Sequence, residues 1–216
     1  MQRFAYALFA FACALCATPS VEAISDPANG GSTATYGQLF GGLGRFVWND
    51  NYYTPVSSSQ DTRRVKHDWG GWGGVAFGVM VAPNFAAELE ASYEGGGYDL
   101  LGLTQVNASE DLVTWFANIY YRNPCYECWV PYVGLGVGGY YYDVNFDNPD
   151  LSFDDVNWGF QAILGLAYVM CEDLEFFGEY RWLSISDPDS TDQGYRLVSQ
   201  VQSHRVGLGI RMILRR

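Results

Sequence analysis

The chain reads as an all-β protein, an eight-stranded antiparallel up-and-down transmembrane β-barrel with long outer loops and short periplasmic turns. Three observations predict this. Eight segments alternate apolar and polar residues with a period of two, the period at which successive strand side chains point to opposite faces. The links between those segments alternate long and short, as they do in outer-membrane barrels. The composition is also wrong for a surface that meets only water. Of 216 residues, 17% are aromatic, only 17% are charged, and lysine occurs once, at Lys66.

Residues 1–23 predict a secretory signal peptide. Arg3 gives a positive start, residues 4–17 form an apolar run of 14, and Val21-Glu22-Ala23 supplies small residues where a signal peptidase cuts. The run is shorter than the roughly 20 residues a membrane-spanning helix needs. Residues 24–35 are small and polar and read as a flexible leader, which leaves 36–214 as the barrel domain. The longest later apolar stretch, 130–142, is broken by Gly134, Gly136, Gly138 and Gly139 and is no membrane helix. An exported chain without such a helix enters a membrane only as a closed barrel, because lipid offers its backbone no hydrogen bonds. The expected location is the bacterial outer membrane.

The strands are expected at 36–48, 69–81, 85–93, 112–121, 130–142, 158–170, 174–185 and 202–214. Long links at 49–68, 94–111, 143–157 and 186–201 face outward. Shorter ones at 82–84, 122–129 and 171–173 face the periplasm. Alternation alone fits a membrane barrel or a secreted ligand-binding barrel of lipocalin type, and the residue types separate them. Along 85–93, Phe85, Ala87, Leu89, Ala91 and Tyr93 oppose Ala86, Glu88, Glu90 and Ser92. Along the last strand, Val206, Leu208, Ile210, Met212 and Leu214 oppose Arg205, Gly207, Gly209, Arg211 and Ile213. The polar faces are small or carry charges of both signs, which suits a narrow filled lumen. Tryptophans and tyrosines cluster near strand ends, as interfacial girdles require.

Trp129-Val130-Pro131-Tyr132-Val133-Gly134-Leu135-Gly136-Val137-Gly138 resembles the fifth-strand signature of the opacity-protein and surface-antigen family of OmpA-like barrels. Asn118-Ile119-Tyr120-Tyr121, Gln161 with Gly165, Glu179-Tyr180-Arg181 and Gly207-Leu208-Gly209-Ile210-Arg211 are similar to that family's flanking strands, in the same order. The resemblance covers 36–214 and implies an eight-stranded barrel with exposed variable loops. Such barrels usually end on an aromatic residue, whereas this chain ends Ile213-Leu214-Arg215-Arg216.

Alternation predicts that Glu88, Glu90, Glu175, Glu179, Arg181, Arg205 and Arg211 project into the lumen as an ion-pair network, with Arg45 joining them unless Gly41-Gly42 bulges. The alternative is a proton or solute path. No catalytic residue, metal site or cofactor is expected. His67 sits in a basic loop cluster with Arg63, Arg64 and Lys66, and has no evident partner. Ser203 and His204 are adjacent on a strand, so they point to opposite faces and do not form a nucleophile–base pair. Asp147-Asn148-Pro149-Asp150 lacks EF-hand spacing.

The four long links carry net charges of zero, −4, −5 and −2, almost all of the chain's net −12. An acidic outer end excludes nucleic acid and suits basic partners, or divalent cations shared with lipopolysaccharide phosphates. The expected role is a monomeric, structural, surface-exposed barrel whose acidic loops contact host, partner or envelope components. The alternatives are an outer-membrane lipid-modifying enzyme and a small-solute porin. Cys125, Cys128 and Cys171 fall at the periplasmic rim of an oxidising compartment. Symmetric pairing of strands five and six opposes residues whose numbers sum to about 299–301, which predicts a Cys128–Cys171 disulfide. Three reduced thiols are the alternative.

Overall fold

Eight long strands follow one another as antiparallel neighbours, and the last returns to the first. They are β1 (Thr35–Trp48), β2 (Gly70–Ala82), β3 (Phe85–Leu100), β4 (Asn107–Arg122), β5 (Trp129–Asp147), β6 (Asp150–Cys171), β7 (Leu174–Ile185) and β8 (Val201–Arg215). The β1–β8 pairing closes the barrel. This computed structural model describes residues 34–48, 52–55, 65–67, 69–100, 107–123, 128–147, 150–186, 189–192, 195–198 and 201–215. The expected signal peptide, all but the end of the leader, and Cys125 lie outside the described residues.

The register fixes the barrel's shape. Tyr36 pairs with Gly78, and the ladder runs on through Glu88, Asn118, Gly136, Gln161, Leu183 and Ser203 to Phe46. The circuit therefore returns to β1 ten residues above its start. That stagger on eight strands tilts them about 40° from the axis and leaves an interior just wide enough for side chains. Register shifts occur at Thr35/Tyr36, Met80/Ala82 and Val169/Cys171, all at the periplasmic rim.

The apolar faces point outward. Leu208 is 74% exposed, Leu89 68% and Leu135 67%. Their opposite neighbours Gly207, Glu88 and Gly136 are buried. A lipocalin-type barrel has the reverse arrangement, so this exterior is made for lipid. Trp69, Tyr93, Trp115, Tyr141 and Trp158 stand exposed around the outer end. At the periplasmic end, Phe85 packs on Tyr121 and Trp129 on Tyr168, with ring centroids 5.3 and 4.9 Å apart. Trp158 and Tyr168 are ten residues apart on one tilted strand, or roughly 24 Å along the axis, close to the height of an outer-membrane apolar band. Leu208 lies near the middle of that band, so Leu208→Arg is expected to cost about 2–4 kcal/mol. Urea titration of the protein refolded into lipid vesicles measures it, and no loss would place this face in water.

Strands β3–β6 run well beyond the expected ends. The links read as 94–111 and 143–157 shrink to 101–106 and 148–149, because the ladder continues above the outer girdle. Two short strands of the last link, Asp189–Asp192 and Tyr195–Val198, join Tyr52–Pro55 of the first link in a separate three-stranded sheet. Val65–His67 pairs with the upper end of β3. The described residues of the outer end are thus largely β-structured.

Candidate functional site

The inward faces of the strands fill the lumen in three charged layers. Near the outer end, the Glu94 carboxylate accepts hydrogen bonds from Ser203 Oγ at 2.9 Å and Arg205 Nε at 2.7 Å. Ser92 and Thr114 share a 2.7 Å hydrogen bond beside them. In the middle layer Arg181 bridges Glu90 at 2.5 Å and Glu179 at 2.7 Å. Glu90 also accepts from Asn118 Nδ2 and Gln161 Nε2, and Tyr132 donates to Glu179. The Arg181 guanidinium lies over Phe40, 4.4 Å from the ring centroid, and it shares the Trp72 indole with Arg205. Such cation–π contacts stabilise a guanidinium cut off from water.

At the periplasmic mouth, Glu175 accepts from Arg122 Nη2 at 2.7 Å and from Arg211 Nη1 at 2.8 Å. Arg211 Nε donates to Gln38, and its guanidinium lies among the Tyr36, Tyr132 and Phe177 rings. Glu88 is held differently, by the hydroxyls of Tyr36 and Tyr120 and the amide of Asn118. Arg181 and Arg205 are fully buried. Buried charges survive only when paired, and each layer sets its guanidiniums against carboxylates, while Arg122 Nε, Arg181 Nη2 and Arg205 Nη2 are buried without a hydrogen-bond partner among the described residues. Above the layers, buried Phe46, Leu112, Tyr140, Tyr142 and Ile185 cover the outer end of the lumen. Tyr142 donates to Glu110 and Tyr140 to the Ser186 carbonyl.

Glu88, Glu90, Glu175, Glu179, Arg181, Arg205 and Arg211 are all buried within this filling. The structure adds Glu94, Glu110 and Arg122, read from the sequence as link residues. Each shares the parity of an inward neighbour, namely Ser92, Leu112 and Tyr120. Carrying the alternation one period further would have found them. Arg45 is corrected: with no bulge at Gly41-Gly42, the inward parity of Tyr36, Gln38 and Phe40 runs on to Gly44 and Phe46, which puts Arg45 on the exposed outer face. Two of the carboxylates counted at the outer end, Glu94 and Glu110, therefore belong to the lumen.

The expected Cys128–Cys171 disulfide is also corrected. Paired residues of β5 and β6, such as Trp129 and Tyr168, sum to 297. The Cys128 carbonyl accepts from the Val169 amide, so Cys171 lies two residues beyond the partner position, and both thiols are free. The two-residue connection at 148–149 sets the register lower than symmetric pairing about a long loop predicts. Ser203 faces the lumen and Glu94, while His204 on the outer face shares a 2.5 Å hydrogen bond with Tyr180. The two do not form a dyad. His67 lies in the short strand beside β3. Outside the lumen, Asp111, Asp143 and Asp154 oppose one another in register across β4, β5 and β6, just above the outer girdle. Tyr93 donates to Asp111.

A closed eight-strand barrel with a lipid-facing apolar exterior, two aromatic girdles and a charged interior is the architecture of a bacterial outer-membrane protein. The chain belongs to the family described as the outer membrane protein beta-barrel domain, which matches residues 7–211. No curated protein matches it in sequence. Among solved structures it is similar to neisserial surface protein A (NspA), at TM-score 0.55 and 14% identity over 83% of this chain and 97% of that one. OprG from Pseudomonas aeruginosa gives 0.54 and 20% over 84% and 97%. A major outer membrane protein from Thermus thermophilus gives 0.54 and 14% over 85% and 100%. At these identities the likeness is one of fold. The protein resides in the bacterial outer membrane.

Proposed function

We propose that this is a structural, surface-exposed barrel that performs no chemistry and conducts no solute, and that its acidic outer end contacts basic groups of host, partner or envelope components. One observation carries the reading. The lumen is packed with paired, buried side chains, while four strands continue as ladders beyond the outer girdle. On β5 the extension from Tyr141 to Asp147 is six residues, or about 20 Å of strand. The side of the molecule built to meet other molecules is therefore its outer rim, where Asp111, Asp143 and Asp154 stand in line.

Two measurements test this. The purified protein in a planar lipid bilayer is expected to give no stepwise currents, and steady unit conductance would favour a porin. Replacing residues 143–157 with an Asn-Gly turn is expected to abolish binding to cells or to a basic ligand such as polylysine. The barrel itself should still fold, as shown by a gel shift on boiling. Retained binding in the loop-shortened variant would refute the contact role. A lipid A mass change that disappears in His204→Ala would favour a lipid-modifying enzyme.

A further inference from the structure

The side chains of five arginines are described, and four of them, Arg122, Arg181, Arg205 and Arg211, are buried in the lumen. The fifth, Arg45, stands exposed on the outward face of β1, toward the membrane's outer surface. Its register partner on β8 is His204, whose own partner on β7 is Trp182. On its other side Trp69 of the outer girdle lies one residue beyond the Gly44–Gly70 pair. A cation, an imidazole and two indoles thus form one row across four neighbouring strands at the height of the interface. Among the described residues, the outward faces of β1, β2, β7 and β8 carry no carboxylate to neutralise Arg45. The outward carboxylates Asp111, Asp143 and Asp154 stand on β4–β6, on the opposite side of the barrel.

We propose that Arg45, with His204 beside it, is a binding site for a phosphate of a lipopolysaccharide molecule in the outer leaflet. The inference rests on the outer-membrane placement and not on the loop-contact reading. The height selects the ligand: a group at this girdle lies among the lipid headgroups, where the anions are phosphates. A guanidinium offers a phosphate two parallel N–H donors, and it loses less to desolvation than an ammonium does. His204 Nδ1 is engaged with Tyr180, which leaves Nε2 for the lipid. The exposed side chains of Leu43 and Leu39, below Arg45 on the same face, lie at acyl-chain depth.

Native mass spectrometry of the full-length protein in detergent tests this, with bis-phosphorylated lipid A and its dephosphorylated form supplied in turn. Wild type is expected to retain one bis-phosphorylated lipid A, and R45A to lower that retention about tenfold, the worth of a charge-assisted hydrogen bond. R45K should lose less, because it keeps the charge without the fork. Dephosphorylated lipid A should be held weakly and equally by wild type and R45A. A normal gel shift on boiling shows that R45A is folded, and L135A, on the exposed outer face of β5 away from Arg45, should retain lipid A as wild type does. Equal retention by R45A and wild type overturns the proposal. So does wild-type binding that ignores the phosphates, or an L135A loss matching that of R45A, which would make the retention a property of the apolar exterior as a whole.

Discussion

Arg181→Ala is expected to destabilise the folded barrel by about 3–5 kcal/mol, the cost of leaving buried charges without their partner. Arg181 is fully buried and joins β7 to β3 across the lumen through its 2.5 Å contact to Glu90, while Glu179 holds its Nε. Alanine would leave two carboxylates facing each other and uncover the Phe40 and Trp72 rings on which the guanidinium rests. The measurement is urea unfolding in lipid vesicles, followed by tryptophan fluorescence. Replacing the whole cluster, as R181M with E90Q and E179Q, is expected to recover most of the loss, because a neutral cluster has no charge to desolvate. A loss below about 1 kcal/mol for R181A would mean that water screens the lumen as it screens a surface pair.

Glu175→Ala is expected to have an effect of similar size at the periplasmic mouth, again about 3–5 kcal/mol. Glu175 is the shared counter-ion of Arg122 and Arg211. Its removal leaves two guanidiniums in repulsion, one on β4 and one on β8, nearly on opposite sides of the barrel. Glu175→Gln keeps an acceptor without the charge and should fall between wild type and alanine. The readout is the temperature at which the compact gel band gives way to the unfolded one. If E175A kept the wild-type temperature, the mouth would have to be open to solvent.

The sequence alone predicted the eight strands and their inward and outward faces, because the lipid-spanning segments obey one rule: apolar outside, small or paired inside. Leu174–Ile185 was delimited correctly at both ends for that reason. The rule fades where lipid ends. Above the outer girdle the outward face no longer has lipid to meet, so the apolar contrast disappears while the hydrogen-bonded ladder goes on. That is why Asn145 and Ser152, which pair in the ladder, read as loop. The same blind spot hid Glu94 and Glu110, which lie where a polar inward residue no longer contrasts with its neighbours. The cysteine register failed on a different ground. Hairpin pairing depends on the length of the connection, and nothing local to Cys128 or Cys171 reports that Asp147 pairs with Asp150. The charged lumen was legible as a set of residues, but its pairings were not. They depend on which strands face one another across the barrel and at what height, which strand number and shear decide together.

The closing seam has a consequence for the order in which the barrel forms. Every other pairing among the eight barrel strands joins strands adjacent in the chain and can begin as a local hairpin, as β5 and β6 do across 148–149. The β1–β8 seam instead joins Gly42 to Gly207 and runs from Thr35–Arg215 to Trp48–Val201, bringing the two ends of the domain together. Loop-closure entropy rises by only about 0.6 kcal/mol per doubling of length, so distance alone does not forbid early closure. The seam, however, has correct partners to meet only when all eight strands stand in register. Until then the sheet is a curved ribbon with two bare edges, each a row of unpaired amides and carbonyls beside an apolar face. Such edges pair as readily with another chain as with each other. Completion of the seam is thus a race between intramolecular closure and association, and dilution favours closure.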